Sequence, residues 1–211
     1  MIQTKNLAYT YTEGESIVFP DISCASKEML LILGASGIGK TTLLHLLGGI
    51  LGVQKGSIII DGTDIGQLSG AQADHFRGQN IGIVFQQNHF IEALNVLENV
   101  MLAQSLAGRP TDKEKAMKLL ERLHIDHKSG QYIRNLSQGE KQRVAIARAL
   151  VNDPKIVLAD ELTSALDDDN CNEVLKLLQE QAHEAGSALI IVTHDTRLKD
   201  KIDRKVILER Q

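Results

Sequence analysis

Residues 29–49 read MLLILGASGIGKTTLLHLLGG. Five apolar residues are followed by a polar loop with three glycines, and then by leucines at helical spacing. The order is strand, loop, helix. The loop fits G-x-x-x-x-G-K-[ST] at Gly34, Gly39, Lys40 and Thr41. Glycines let such a loop curl so that its backbone N–H groups point inward, and the N-terminus of the next helix adds partial positive charge. A lysine at this place neutralises terminal phosphates, and a Thr hydroxyl suits Mg²⁺. A chance glycine turn would not need a buried strand before it and a helix after it. The candidate phosphate-binding residues are therefore Gly34, Ala35, Ser36, Gly37, Ile38, Gly39, Lys40, Thr41 and Thr42.

Outward from this loop, further short apolar runs read as buried strands: Ile81–Phe85, Ile156–Ala159, Leu189–Thr193 and Lys205–Leu208. Helical stretches lie between several of them, so the pattern is α/β with a mainly parallel sheet. Thr4–Tyr11 and Ser16–Phe19 alternate as antiparallel strands, and Ser57–Ile60 runs into an Asp61-Gly62 turn. Between about Gln87 and Val151 the pattern turns helical, with apolar spacing over Leu94–Ala107, Lys113–Leu123 and Gly139–Val151. The expected fold is a P-loop NTPase core with an N-terminal antiparallel β-subdomain and an inserted helical subdomain. In one domain over 1–211, residues 1–86 and 152–211 form the core and 87–151 the helical insert.

The 211 residues suffice for one sizeable core, and 43% are hydrophobic. A formal charge of −4 without a Lys/Arg block argues against nucleic acid as a partner. No basic-then-apolar leader opens the chain, so a cytoplasmic location is expected, and no apolar run reaches the roughly 18–20 residues of a membrane span. Cys24 and Cys171 lack metal or redox spacing and read as packing residues. The run DDDN at 167–170 has no glycine at the sixth position of a calcium loop and reads as acids at a helix start.

Two more stretches carry chemistry. IVLADE at 156–161 places Asp160 at the C-terminal end of a buried strand, where ligands bind in open α/β sheets. Asp160 is the candidate for holding Mg²⁺ and Glu161 for polarising an attacking water; solvent-facing acids at a strand end are the plainer reading. LSQGEKQR at 136–143 opens another helix. Ser137 followed by Glu140 fits a capping box. The same turn also fits an anion site, and both readings stand.

With these motifs in order, the chain resembles the nucleotide-binding subunit of ABC transporters over nearly its whole length. The resemblance rests on GASGIGKT, the glutamine of IVFQ (Gln86), LSQGEKQR, IVLADE, SALD (Ser164–Asp167) and VTHD with His194. Within that family it is similar to the group serving lipoprotein release and macrolide-type export. The resemblance implies an ATPase with ATP and Mg²⁺ as cofactors, working as a head-to-tail dimer of two copies. Each ATP would lie between one chain's P-loop and the partner's signature turn. Tyr11 would stack on adenine, with Tyr9 on the same strand face as its rival. Glu161, His194 and Gln86 would be catalytic. Thr41, Gln86 and Asp160 would hold Mg²⁺. Ser137, Gln138, Gly139, Glu140 and Asp167 would face the partner's ATP. The chain departs from the family at Gln138 and Glu140, where LSGGQ is usual, and at Leu162, where a proline is usual.

The resemblance also implies a separate transmembrane permease subunit, docked near Phe85–Val100, where Phe90, Ile91 and Leu94 look exposed. The chain would then sit peripherally on the cytoplasmic face of the inner membrane, serving export or envelope lipoprotein and lipid handling. The plainer reading is that those side chains pack a local core. A soluble, non-transport ATPase of the same family is the alternative function; the single cassette without sustained heptads argues against it.

Overall fold

The computed structural model describes residues 1–11, 14–162 and 168–209. Ser164 and Asp167 of the SALD motif therefore lie outside the described residues.

Ten strands and six α-helices alternate among the described residues. The apolar runs form a parallel sheet of β4 (Met29–Leu33), β7 (Ile81–Val84), β8 (Ile156–Asp160), β9 (Ala188–Thr193) and β10 (Lys205–Ile207), in the order β10-β4-β9-β8-β7. Successive strand side chains point to opposite faces. Leu31, Leu33, Val157, Ala159, Leu189 and Ile191 thus join one core, and Leu30, Ile32, Ile156, Leu158, Ile190 and Val192 the other. Burial on both faces explains why β4, β8 and β9 are apolar up to the polar residues that end β8 and β9, whereas the edge strand β10 begins with the exposed Lys205.

The second core is closed by α1 (Lys40–Leu47) and an antiparallel sheet. That sheet pairs β1 (Ile2–Tyr9) with β2 (Ile17–Val18), β3 (Ser23–Cys24) and β5 (Lys55–Ile60); β5 turns back into β6 (Thr63–Asp64). Asp61 and Gly62 both have positive φ, 49° and 85°, as a two-residue hairpin turn of the I′ kind requires. Cys24 and Cys171 are free and buried, and burial pushes the Cys24 thiol up to about 11.

α3 (Val96–Leu106), α4 (Lys113–Arg122) and α5 (Gln138–Leu150) come between the neighbouring strands β7 and β8. They share the first core rather than owning one: Val100, Leu120 and Ile146 pack in the same cluster as Leu31 and Val157. α5 crosses the sheet at Gly82, where an added Cβ would lie 2.3 Å from the Ala149 carbonyl oxygen. α6 (Asp168–Glu184) covers the same face.

Two expectations need correction, and one element was not expected. The first strand stops at Tyr9, because the Gln54 side chain takes over the Thr10 backbone, accepting from its N–H at 2.8 Å and donating to its carbonyl at 3.1 Å. Phe90 is not free: it packs against the core under the Arg148 guanidinium, 4.8 Å from the ring centroid. Finally, α2 (Gly70–Asn80) is a helix absent from the sequence reading; it buries no residue fully, so it has no apolar stripe to betray it, and its Ser69/Gln72 capping box is the only signal.

Candidate active site

Parallel pairing brings the ends of four motif-bearing strands to one edge. Leu33 pairs with Thr193, Asp160 with Val192, and Val84 with Ala159. The loop after β4, the acids at the end of β8, the Thr193-His194 step and Gln86 thus share the C-terminal edge of the sheet. Gln86 is exposed there, just past β7.

The glycine loop wraps the start of α1. Gly39 has φ 102°, a left-handed conformation, and its missing Cβ would sit 3.2 Å from Ile17 of the antiparallel sheet. Lys40 is buried at 7% exposure, and its ammonium donates to the carbonyls of Gly34 (2.9 Å) and Ala35 (3.0 Å). It also lies 3.9 Å from Glu161. Thr41 is exposed on the first turn of α1, and Thr42 is buried beside it.

Asp160 is 6% exposed, and its Oδ1 is buried without a hydrogen-bond partner. Burial, and then the adjacent Glu161 charge, hold its carboxyl above the usual carboxylate range. His45, Lys40 and a hydrogen bond from Thr41 work against that rise. An orphaned carboxylate oxygen beside a threonine hydroxyl is a hard-oxygen donor set of the kind that suits Mg²⁺. A raised folded pKa means that the folded chain binds this proton more tightly than the unfolded one. Folding stability then falls as pH rises from the ordinary carboxylate range through the raised value, and stays reduced at neutral pH. Asp160→Asn should therefore raise the melting midpoint of the nucleotide-free protein in EDTA at pH 7, by about 2–4 °C per kcal/mol recovered, while lowering hydrolysis. A lower midpoint in that melt would count against this reading of Asp160.

Glu161 sits one residue past β8 with φ 48°, and its backbone N–H donates to the Val192 carbonyl at 2.9 Å. Its carboxylate accepts from the Thr193 hydroxyl (2.8 Å) and from the His194 N–H (3.2 Å), and lies 2.8 Å from His194 Nδ1. The His194 side chain is 60% exposed at this edge. Leu162, where the family has proline, is buried in the first core.

The two tyrosines separate by exposure. Tyr9 packs against the second core, whereas Tyr11 is 49% exposed, edge-on to Tyr9 at 4.9 Å between centroids. The Tyr11 hydroxyl lies 3.0 Å from Thr42 Oγ1, which puts that ring beside the glycine loop.

Ser137 caps α5 with both bonds of a capping box: its N–H donates to Glu140 Oε2 (2.7 Å), and its Oγ accepts from the Glu140 N–H (3.3 Å). The first of these bonds chiefly holds the Glu140 carboxyl below its usual range. Gln138 is the first helical residue and is exposed, and its φ is not positive, so the turn does not require the family's glycine there. No hydrogen bond or ion pair among the described residues joins Ser137–Glu140 to the Gly34–Thr42 loop. Asp167 lies outside the described residues.

Two residues at this edge escaped the sequence reading. Thr193 reaches Glu161 only because of the sheet register. His45 lies four residues after Thr41, on the same face of α1, and its charge bears on Asp160; that spacing was the available signal.

The residues from 20 to 164 match the ABC transporter family model. The lipoprotein-releasing system ATP-binding protein LolD of Shewanella frigidimarina is 37% identical over 99% of this chain and 90% of its own length. That of Idiomarina loihiensis is 39% identical over 99% and 94%. Among solved structures, the ATP-binding cassette MJ0796 in a dimeric post-hydrolysis state with ADP and Pi superposes with a TM-score of 0.88. It is 32% identical, covering all of this chain and 95% of that one. The chain belongs to the ABC transporter ATP-binding family. It is the ATP-hydrolysing subunit of such a transporter, and no described helix is long and apolar enough to cross a membrane.

Proposed function

We propose that two copies of this chain close head to tail on two ATP molecules and drive a separate transmembrane subunit that handles lipoprotein or lipid at the cell envelope. The observation that supports this reading best is the division of the phosphate-binding features. The Gly34–Thr42 loop and the Ser137–Gly139 helix start are each shaped for an anion, yet among the described residues no hydrogen bond or ion pair joins them. A two-fold interface puts both patches on every chain, so each copy completes the other's site.

In this reading Tyr11 stacks on the base, and the backbone from Gly34 to Thr42 cradles the phosphates. Lys40 exchanges its carbonyl partners for phosphate. Thr41, Asp160 and Gln86 hold Mg²⁺, which neutralises phosphate charge when bound. Glu161 orients the attacking water, and His194, with Nδ1 toward Glu161, presents its outer nitrogen to the γ-phosphate. Ser137, Gln138, Gly139 and Glu140, with Asp167, face the partner's nucleotide.

The membrane subunit docks in a groove of about 590 Å³ between the sheet edge and the helices, lined among others by Ile50, Arg77, Phe85, Ile91 and Leu106. Three of its apolar side chains are open to solvent: Leu106 at 78%, Ile91 at 48% and Ile50 at 44%. Buried Asn99 fixes the Ile91 end, accepting from the Ile91 N–H and donating to the carbonyls of Ile91, Leu94 and Asn95. The chain would work at the cytoplasmic face of the inner membrane, as a peripheral subunit without nucleic acid. The test is affinity purification from detergent-solubilised membranes. The wild type should retain a multi-span protein, and the pair Ile91→Asp, Leu106→Asp should lose it while the isolated chain keeps its ATP turnover. A wild-type chain recovered only as a soluble dimer would overturn the transport role.

A further inference from the structure

We propose that Thr193 is a positioning residue for hydrolysis: its buried hydroxyl holds Glu161 in its working orientation, independently of the His194 imidazole. This rests on the reading of Glu161 as the residue that orients water. Glu161 occupies a left-handed backbone conformation that non-glycine residues rarely adopt. Its N–H extends the β8–β9 ladder one residue beyond Asp160 by bonding to Val192, and this turns the side chain toward the end of β9. There the carboxylate meets the Thr193 hydroxyl and both the backbone N–H and the ring of His194. His194 stands on the loop with its ring mostly exposed. Thr193 is fully buried, paired with Leu33 in the strand between the P-loop strand and β8. Its β-branched side chain has little rotamer freedom.

The direction of the bond follows from donor counting. Thr193 Oγ1 accepts the Asp195 N–H at 3.0 Å, and a carboxylate is an acceptor only, so the single hydroxyl proton points at Glu161 Oε2 at 2.8 Å. One carboxylate oxygen is thereby pinned from the protein interior. The other faces His194 and Lys40, on the side where nucleotide binds. When the His194 ring turns to a phosphate, the Thr193 hydroxyl still holds Oε2 from the interior, beside the His194 backbone N–H.

The test is steady-state and single-turnover ATP hydrolysis by the full chain. Thr193→Val keeps shape and removes the proton, and should lower kcat roughly ten- to a hundredfold, as expected for a misplaced reacting group. KM for ATP should stay near wild type, while the melting midpoint should fall by a few degrees, because the Asp195 N–H also loses its acceptor. Thr193→Ser, which keeps the hydroxyl, should recover most of the rate. In a Glu161→Gln background, Thr193→Val should cost little more, because both changes act through one group. If valine is not accepted by the fold, Thr193→Ala carries the same expectation. A Thr193→Val kcat near wild type alongside an arrested Glu161→Gln sinks the proposal and spares the base assignment, as does a serine variant that falls as far as valine. Normal turnover by Glu161→Gln would remove the base assignment itself.

Discussion

Glu161→Gln should stop turnover, with kcat falling by roughly 10²–10⁴-fold, the usual contribution of a positioned general base. The substitution is nearly isosteric. The backbone bond to Val192 is untouched, and the amide oxygen can still accept from Thr193. ATP binding should survive, because Lys40 and the glycine loop are unaltered. It should tighten if it changes at all: the variant removes a negative charge 3.9 Å from the Lys40 ammonium, in the space that phosphate would occupy. Equilibrium binding of a fluorescent ATP analogue, measured beside phosphate release, checks both halves. Loss of binding together with turnover would mean that Glu161 is a structural part of the P-loop.

Ser137→Ala should separate two roles of one hydroxyl. As a cap, its loss costs about 1 kcal/mol, which a melt of the nucleotide-free chain would show. As a donor to a neighbouring chain's γ-phosphate, its loss should lower hydrolysis by roughly ten- to a hundredfold, somewhat less than removal of a donor from a well-formed oxyanion site. ATP binding by the monomer should be unchanged, since among the described residues no hydrogen bond ties Ser137 to the P-loop of its own chain. Ser137→Asp keeps a good cap and adds a negative charge, so it should melt like wild type and still lose hydrolysis. If hydrolysis instead tracks the melting midpoint across the two variants, the capping role alone explains this turn.

The parts legible in the sequence were those whose signal is local. Buried parallel strands read as continuous apolar runs, so Met29–Leu33 and Ile156–Ala159 declared themselves. The Ser137–Glu140 capping box was readable from its spacing and is formed. What stayed hidden depends on tertiary context. α2 lies on the surface with no residue fully buried, so no periodicity marked it. Tyr9 and Tyr11 differ only because Gln54 ends the strand between them, across more than forty residues of sequence. Phe90 looked exposed until Arg148 covered it. Thr193 and His45 matter through register and helix phase, which no motif spells out. Leu106, the most exposed apolar side chain at the groove, reads in sequence as one more position of a helical stripe.

If a complete hydrolytic site needs two chains, ATP must bring them together. The most direct measurement is the mass in solution, by sedimentation equilibrium, of the Glu161→Gln variant with and without saturating ATP. Without nucleotide the 23.2 kDa chain should be in excess, and with ATP a species of twice that mass. A variant that fills with ATP yet remains at the mass of one chain would contradict the two-chain site.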